Sequence, residues 1–408
     1  MDSQFLFPQW FRNFRCLQTG CCCRHFQKIR LSFEDYSRLR DRACDSELEG
    51  LFASGVILTC ENSSNDPPIL EPEGDFAVVA RSGSGQCAFL TEGKSCRIHT
   101  EFGDSCLPEI CNNFPMYGAG TPDGIEVLVD VVCPAARECL MQATTPFQVV
   151  KELRPPAGRR FNLRVGSALN CIRRIPLRTA TFIEWDEYTH LRDAMIAMVM
   201  NTQRPFMFRM GVIHSMLSEI RTVEEFRARR EGIGAFLNAL TRTPELLESL
   251  APLPGETLSP FQKQSCYAGY FMRAATAGST ESIFNDWNSF RVFAERTVER
   301  LFGKNVPRTL FENWQNNLLN NVLSDEQAYA PFFERYLLVK LASIGLDAGR
   351  SMTMNLDYLG TALSQALRYA AAFSAVLQSS VTPELIRTAL GFAEYRLRSN
   401  PHRIVSLT

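Results

Sequence analysis

The chain has 408 residues, 45% of them hydrophobic and 21% charged, a balance that is typical of globular proteins with a substantial core. Lys and Arg number 43 and Asp and Glu 44, so the formal net charge of -1 gives no indication of a nucleic-acid or anionic membrane partner. No apolar run approaches the roughly 20 residues of a membrane-spanning helix, and the amino terminus lacks a signal-peptide pattern. We therefore expect a cytoplasmic protein without membrane insertion or nucleic-acid binding.

The first third of the chain is predicted to contain short elements separated by turns. A helix is expected at about 32–48, because Ser32 is a favoured N-cap residue and Asp35 occupies the capping-box position three residues later. Residues 76–90 are predicted to form a hairpin that ends at Cys87, and residues 125–133 a strand that delivers Cys133.

Helical periodicity replaces this pattern after about residue 145. The Pro, Gly and Arg segment 153–164 is the predicted linker, and 242–260 a long internal loop. We predict an α+β, mainly α fold with a small cysteine-rich, metal-binding domain of loops and strands over 1–145 and a helical domain over 146–408 that shapes a substrate cleft. The predicted helical segments are 181–200, 222–241, 282–303, 309–323, 329–345 and 357–379.

Cysteines are concentrated at the amino-terminal end, where twelve of the fourteen lie within the first 139 residues. Cytosolic thiols are kept reduced, so the clustering indicates metal or catalytic chemistry rather than a disulfide framework. A zinc site takes four ligands and a 4Fe-4S cluster one thiolate for each iron, so the thiols are enough for one site or two. No CxxC pair is present, and the ligands must come from separate loops.

Three consecutive cysteines, Cys21, Cys22 and Cys23, cannot all face one metal if the chain is extended, because neighbouring side chains then point to opposite faces. We expect Cys22 or Cys23 to face the site and Cys21 to be the most dispensable of the three. Cys44 and Cys60 are interpreted as structural, and the roles of Cys106 and Cys133 are left open. The predicted metal ligands are Cys16, Cys22, Cys23, Cys87, Cys96 and Cys111.

The segments "FRCLQTGCCCR", "CAFLTEGKSCRIH", "EICNNFPM" and "VDVVCPAAREC" resemble, in their order and flanking residues, the cysteine-rich domain of the YkgJ-type zinc- or iron-chelating proteins. More fully, they resemble the flagellin lysine-N-methylase (FliB-like) family over about residues 1–145. The triple cysteine departs from the paired cysteines of that family.

This resemblance implies a 4Fe-4S cluster, with zinc as the alternative, and an enzyme that transfers a methyl group from S-adenosylmethionine to lysine side chains of flagellin. No glycine-rich strand-turn-helix motif indicates a Rossmann-type S-adenosylmethionine pocket, and the CxxxCxxC string of radical enzymes is absent from the sequence. If the chain binds S-adenosylmethionine, the cluster is therefore the expected anchor.

Two other functions remain open. The first is a non-catalytic zinc- or iron-binding module on a helical interaction scaffold. The second, a thiol redox protein, is weaker because CxxC is absent. His25 and His99 are interpreted as hydrogen-bonded polar residues, with a ligand or proton-transfer role as the alternative. The sequence does not identify the base that deprotonates the lysine.

Overall fold

The computed structural model describes residues 4–20, 22–23, 29–44, 46–58, 76–81, 86–92, 95–156, 172–178, 181–206, 209–210, 213, 326–343, 351–377 and 379–399. Helices account for more of these residues than strands do, so the prediction of a mixed, mainly α fold is confirmed. Within these ranges, no helix combines the length and the apolar character that crossing a bilayer requires.

The elements are numbered in chain order over the described residues. The strands are β1 Phe5–Pro8, β2 Ile29–Leu31, β3 Val56–Leu58, β4 Ala77–Val79, β5 Met116–Thr121, β6 Gly124–Val129, β7 Val149–Glu152, β8 Arg174–Arg178 and β9 Thr181–Glu184. The helices are α1 Phe33–Ala43, α2 Glu49–Gly55, α3 Arg97–Phe102, α4 Glu109–Asn113, α5 Pro134–Met141, α6 Trp185–Met200, α7 Glu326–Leu341, α8 Met352–Leu377 and α9 Pro383–Ser399. Two 3-10 turns, Gln9–Phe11 and Asp104–Cys106, complete the set.

The strands form three small sheets. A four-stranded sheet has the order β5-β6-β1-β7, in which β1 and β6 run parallel and the other neighbours antiparallel. A three-stranded antiparallel sheet has the order β2-β4-β3, with Arg30, Val78 and Ile57 in register across it. Strands β8 and β9 form a hairpin with a register shift between Pro176 and Arg178.

Two hydrophobic clusters organise the packing. The larger core combines the four-stranded sheet with the buried faces of α5 to α9. The smaller core lies between the β2-β4-β3 sheet and helices α1, α2 and α3. The domain boundary at residue 145 stays a prediction; strand β7, which follows it, pairs with β1, and the larger core takes residues from both sides of it.

Helix α1 begins where the sequence predicted, because the Ser32 hydroxyl accepts a hydrogen bond of 3.1 Å from the Asp35 backbone N–H. Asp35 does not complete a capping box. Its carboxylate instead pairs with Arg38 and accepts a hydrogen bond of 3.1 Å from the Glu109 N–H, the first residue of α4. The helix ends at Ala43, and the remainder of the predicted span leads into α2.

Both strand predictions near cysteines were too long. Strand β6 ends at Val129, because the Asp130 side chain accepts a hydrogen bond of 2.9 Å from the Val132 N–H and turns the chain. Cys133 is therefore the N-cap residue of α5, whose first residue is Pro134. The predicted hairpin around Cys87 is reduced to one antiparallel bridge with Arg81, because β4 pairs with β2 and β3 instead.

Three predicted helical segments lie on described residues and are confirmed as helices α6, α7 and α8, although 181–184 at the start of the first of them forms a strand. Helix α9 was not predicted. Three further segments, 222–241, 282–303 and 309–323, and the loop 242–260 lie outside the described residues, as does the linker beyond residue 156.

Buried charges connect the last three helices. Glu394 of α9 is fully buried and accepts hydrogen bonds from the hydroxyl groups of Tyr336 and Tyr358, on α7 and α8. The ammonium group of Lys340, also buried, lies 3.4 Å from the same carboxylate. Because a buried charge is costly without partners, this network restricts how the three helices can pack.

Helix α9 also lies against Arg137, the α5 residue that holds the segment before Cys133. Nη1 of Arg137 donates hydrogen bonds of 2.7 Å to the carbonyls of Val131 and Val132, and a Cβ added at Gly391 would overlap its guanidinium group. Arg387 and Glu138 form an ion pair between the same two helices. The absence of a side chain at Gly391 therefore lets α9 approach α5.

We predict that Gly391→Ala lowers the free energy of unfolding by about 1–2 kcal/mol. Displacing Arg137 loses two hydrogen bonds worth roughly 1 kcal/mol each or somewhat more, and the higher helix propensity of Ala returns only about 1 kcal/mol. Gly50→Ala is the matched control, since nothing lies within 4 Å of a Cβ there, and it should leave stability unchanged or raise it by up to about 1 kcal/mol. Urea unfolding monitored by circular dichroism measures both, and equal effects of the two substitutions would contradict the prediction.

Candidate metal centre

One cavity of about 70 Å³ brings the amino-terminal thiols together. This volume is several times the 10–15 Å³ or so that a single water requires. All six predicted ligands line it, together with one cysteine that had no assigned role. The seven lining cysteines are Cys16, Cys22, Cys23, Cys87, Cys96, Cys111 and Cys133.

Separate elements supply these cysteines. Cys16 lies in the segment after the first 3-10 turn, Cys87 in its bridge with Arg81, and Cys96 at the N-cap of α3. Cys111 lies within α4, which begins at Glu109. The cavity therefore gathers cysteines from segments that are distant in the sequence, and their role as metal ligands stays a prediction.

The cavity lies between the two hydrophobic cores. Cys22 packs against both of them. The larger core contributes Phe14, Phe114, Cys133 and Ala135 to the lining, and the smaller core Cys23, Ile29, Val79, Cys87, Phe89 and Ile98.

Residues 22 and 23 have a helical backbone, so the extended geometry assumed for the triple cysteine is wrong at this pair. Both Cys22 and Cys23 line the cavity as a result. Cys21 lies outside the described residues.

Cys23 is the centre of the thiol contacts. Its buried side chain is within hydrogen-bonding reach of the thiols of Cys22, Cys87 and Cys96, and these hydrogen bonds with burial raise its own pKa far above the ordinary range. Its backbone carbonyl accepts hydrogen bonds from the Cys87 N–H at 3.2 Å and from Nη1 of Arg81 at 2.9 Å. Through its carbonyl and its thiol, Cys23 thus connects its own segment with the one that carries Arg81 and Cys87 and with the one that carries Cys96.

The thiols around Cys23 are shifted toward the thiolate form. The hydrogen bond with Cys23 lowers the pKa of Cys22 and of Cys87, and it lowers the pKa of Cys96 from 9.0 to about 7. Backbone N–H groups of His99 and Ile98 act on Cys96 in the same direction. Because the thiolate is the form that binds metals, these three side chains are prepared for coordination.

The pKa of Cys111 is shifted in the opposite direction. Burial raises its pKa well above 9.0, and negative charge on Cys22, Cys87 and Cys96 raises it further. A bound cation would reverse this effect, since a metal deprotonates a coordinating thiol. Cys111 is therefore expected to lose its proton only when metal enters the cavity.

Cys16 is exposed at the cavity, and its Sγ accepts a hydrogen bond of 3.3 Å from the Gln18 backbone N–H. Gln18 has a φ of 50°, in the left-handed region that non-glycine residues seldom adopt. Hydrogen bonds to sulphur stabilise negative charge and tune iron–sulphur centres, so the contact is compatible with a ligand role.

The donor set fits an iron–sulphur cluster in the kind and number of its ligands. Among the described residues, however, no three His, Cys, Asp or Glu side chains are arranged so that they could hold one metal ion without rearrangement. A cluster and a zinc ion each take four protein ligands, so the seven lining thiols supply enough donors for either group.

The remaining cysteines and histidines of the region lie apart from the thiols or on the cavity rim. Cys106 is buried in the smaller core without lining the cavity, while Cys44 is exposed on the far end of α1. His99 does line the cavity and pairs through Nε2 with Oδ1 of Asp104 at 2.6 Å. His25 and Cys60 lie outside the described residues.

Cys133 is the lining cysteine that sequence reasoning did not assign. The available signal was "DVVCP", in which Pro134 after a short-side-chain residue indicates a helix start. Because residues 125–133 were predicted to form one strand, the helix start at Pro134 was not predicted.

No protein-family model matches the chain, and searches among curated proteins and among solved structures return no significant match.

We predict that Cys23→Ala slows alkylation of Cys96 by iodoacetamide at pH 7 about fivefold in the metal-free protein. Without the hydrogen bond from Cys23 the Cys96 pKa returns toward 9.0, and the loss of thiolate outweighs the gain in intrinsic nucleophilicity. Mass spectrometry of timed samples gives the rate at each cysteine. Exposed Cys44 is the internal control and should react equally fast in both proteins; an unchanged Cys96 rate would refute the assigned hydrogen bond.

Proposed function

We propose that this chain is an iron–sulphur protein that methylates lysine side chains of flagellin, with S-adenosylmethionine as the methyl donor. The 4Fe-4S cluster would be held by cysteines of the candidate metal centre. Cys22, Cys23, Cys87 and Cys96 are the first choice as ligands because all four line the cavity and the thiol of Cys23 contacts each of the other three.

The observation that carries the cluster proposal is the convergence of seven cysteines on one cavity. A structural role for each thiol alone does not require the thiols to share a cavity, and Cys106, which is buried in the smaller core, does not line it. Support for methyl transfer to flagellin is of a different kind, and comes from the four cysteine segments that resemble the FliB-like family in order and flanking residues.

When bound, a cluster with an open iron position supplies a chelation point for the amino and carboxylate groups of S-adenosylmethionine. The protein's own contribution is the apolar lining of the cavity. Phe14, Phe89, Ile98 and Phe114 make much of the lining apolar. An apolar lining disfavours the charged amine and so lowers the lysine pKa from its ordinary value of about 10.4. Methyl transfer requires this shift, because only the neutral amine is nucleophilic.

The rival function is a non-catalytic metal-binding module. The same cavity supports it, since a bound metal would join the two cores and stabilise the fold without any chemistry. The two functions share the metal centre and differ in methyl transfer.

We predict about four iron and four sulphide per chain after anaerobic purification and reconstitution. Cys87→Ser should lose most of both, because Cys87 lines the cavity and contacts Cys23, whereas Cys44→Ser should keep the full content. Metal analysis and the visible absorbance of the cluster measure this. A colourless protein with one zinc per chain would exclude the cluster.

We predict that the reconstituted protein transfers label from methyl-labelled S-adenosylmethionine to lysines of purified flagellin. Transfer should fall below detection in Cys87→Ser and persist in Cys44→Ser, because only the former loses the cluster. Peptide mass spectrometry locates the label. Full cluster content without labelled lysine would favour the non-catalytic module.

A further inference from the structure

The mouth of the cavity is marked by the few lining residues that are exposed. Segment 16–19 is exposed along its length, and Leu17 has 53% of its surface accessible. Asp104, which is charged where Leu17 is apolar, also lines the cavity, and its side chain is 76% exposed. The other described lining residues are buried or half-buried, so Leu17 and Asp104 stand where an incoming group first meets the site.

Asp104 is the one acidic residue among the described residues that line the cavity. One of its oxygens, Oδ1, contacts Nε2 of His99. No hydrogen bond or ion pair engages the other oxygen, Oδ2, within the described part of the chain. The mouth therefore offers a carboxylate oxygen that can accept a hydrogen bond from a ligand.

The local backbone fixes this placement. The Gly103 N–H donates to the His99 carbonyl at 3.0 Å and closes helix α3, and Gly103 has a φ of 76° that favours glycine. The turn brings Asp104 back beside the side chain of His99, five residues earlier. The carboxylate is thus held at the rim rather than left on a free loop.

We propose that the cavity mouth binds a lysine side chain of the protein substrate, with Leu17 against its four-carbon stem and Oδ2 of Asp104 accepting a hydrogen bond from its ammonium group. An exposed apolar side chain and an exposed carboxylate that line the same cavity complement lysine, which combines an apolar stem with a charged end. This inference rests on the proposed function for the identity of the substrate.

Asp104 is a recruiting residue in this scheme rather than a catalytic one. Its negative charge favours the ammonium form, whereas methyl transfer requires the neutral amine that the apolar interior favours. Loss of the carboxylate should therefore raise KM for the lysine substrate and leave kcat unchanged. Because the pair is exposed, the expected effect is about two- to fivefold at low salt and smaller at high salt.

The experiment measures binding separately from methyl transfer. A flagellin-derived peptide with one lysine and the same peptide with norleucine in its place are titrated into the full-length reconstituted protein by fluorescence anisotropy. The wild type should bind the lysine peptide about two- to fivefold more tightly, and Asp104→Asn should abolish this preference. Leu17→Ser should weaken binding of both peptides alike, since both share the stem.

Two matched controls identify the source of any effect. His99→Gln should keep the lysine preference, because Asp104 rather than His99 contacts the ammonium group. Asp41→Asn removes an acid on α1 that is also well exposed, at 66%, but does not line the cavity, and it should also keep the preference. A preference that survives Asp104→Asn, or that His99→Gln also removes, would overturn the inference.

The outcomes also separate this inference from the proposed function. Methyl transfer by a wild type without lysine preference would overturn the role of the mouth and leave the proposed function standing. A preference that Asp104→Asn abolishes, in a protein that transfers no methyl group, would support the lysine-binding mouth and overturn the methyltransferase.

Discussion

The candidate centre depends on the contacts of Cys23. Its thiol meets those of Cys22, Cys87 and Cys96, and its carbonyl holds the backbone of Cys87. Because Cys87 and Cys96 are more than 60 residues away in the sequence, these contacts exist only after the smaller core has formed. The lowered thiol pKa values are thus a property of the folded chain, and the unfolded chain would hold the same cysteines mainly as neutral thiols near pH 7.

The position of the cavity between two cores links metal binding to packing. Its walls come from both clusters, and Cys133 is fixed from the side of the larger core through α5, which α9 contacts at Arg137. A metal group coordinated from both sides would stabilise the arrangement in which the cores stand together, because binding energy at a site absent from the unfolded chain adds to folding energy. The helical part therefore has a structural connection to the centre whether or not it shapes a substrate cleft.

Part of this structure could be predicted from local signals in the sequence. Ser32 capped its helix as predicted, and the 3.6-residue periodicity located α6, α7 and α8, since both signals act over a few residues. The six cysteines predicted from clustering and motif order all line one cavity. What the sequence did not reveal depends on tertiary packing or on short turns: the helical backbone at Cys22 and Cys23, the turn at Asp130 that makes Cys133 a helix cap, and the carboxylate of Asp104 at the rim.

Asp35 shows how tertiary structure redirects a local motif. The capping-box pattern predicts a carboxylate that serves its own helix, yet its oxygens bind Arg38 and the first N–H of α4, the helix that carries Cys111. Burial, the neighbouring thiolates and this carboxylate together raise the pKa of Cys111. The residue that positions this thiol therefore also favours its protonated form. Since coordination requires the thiolate, a metal that binds Cys111 must displace that proton, and the affinity of a centre that includes Cys111 should rise with pH up to the raised pKa of this thiol.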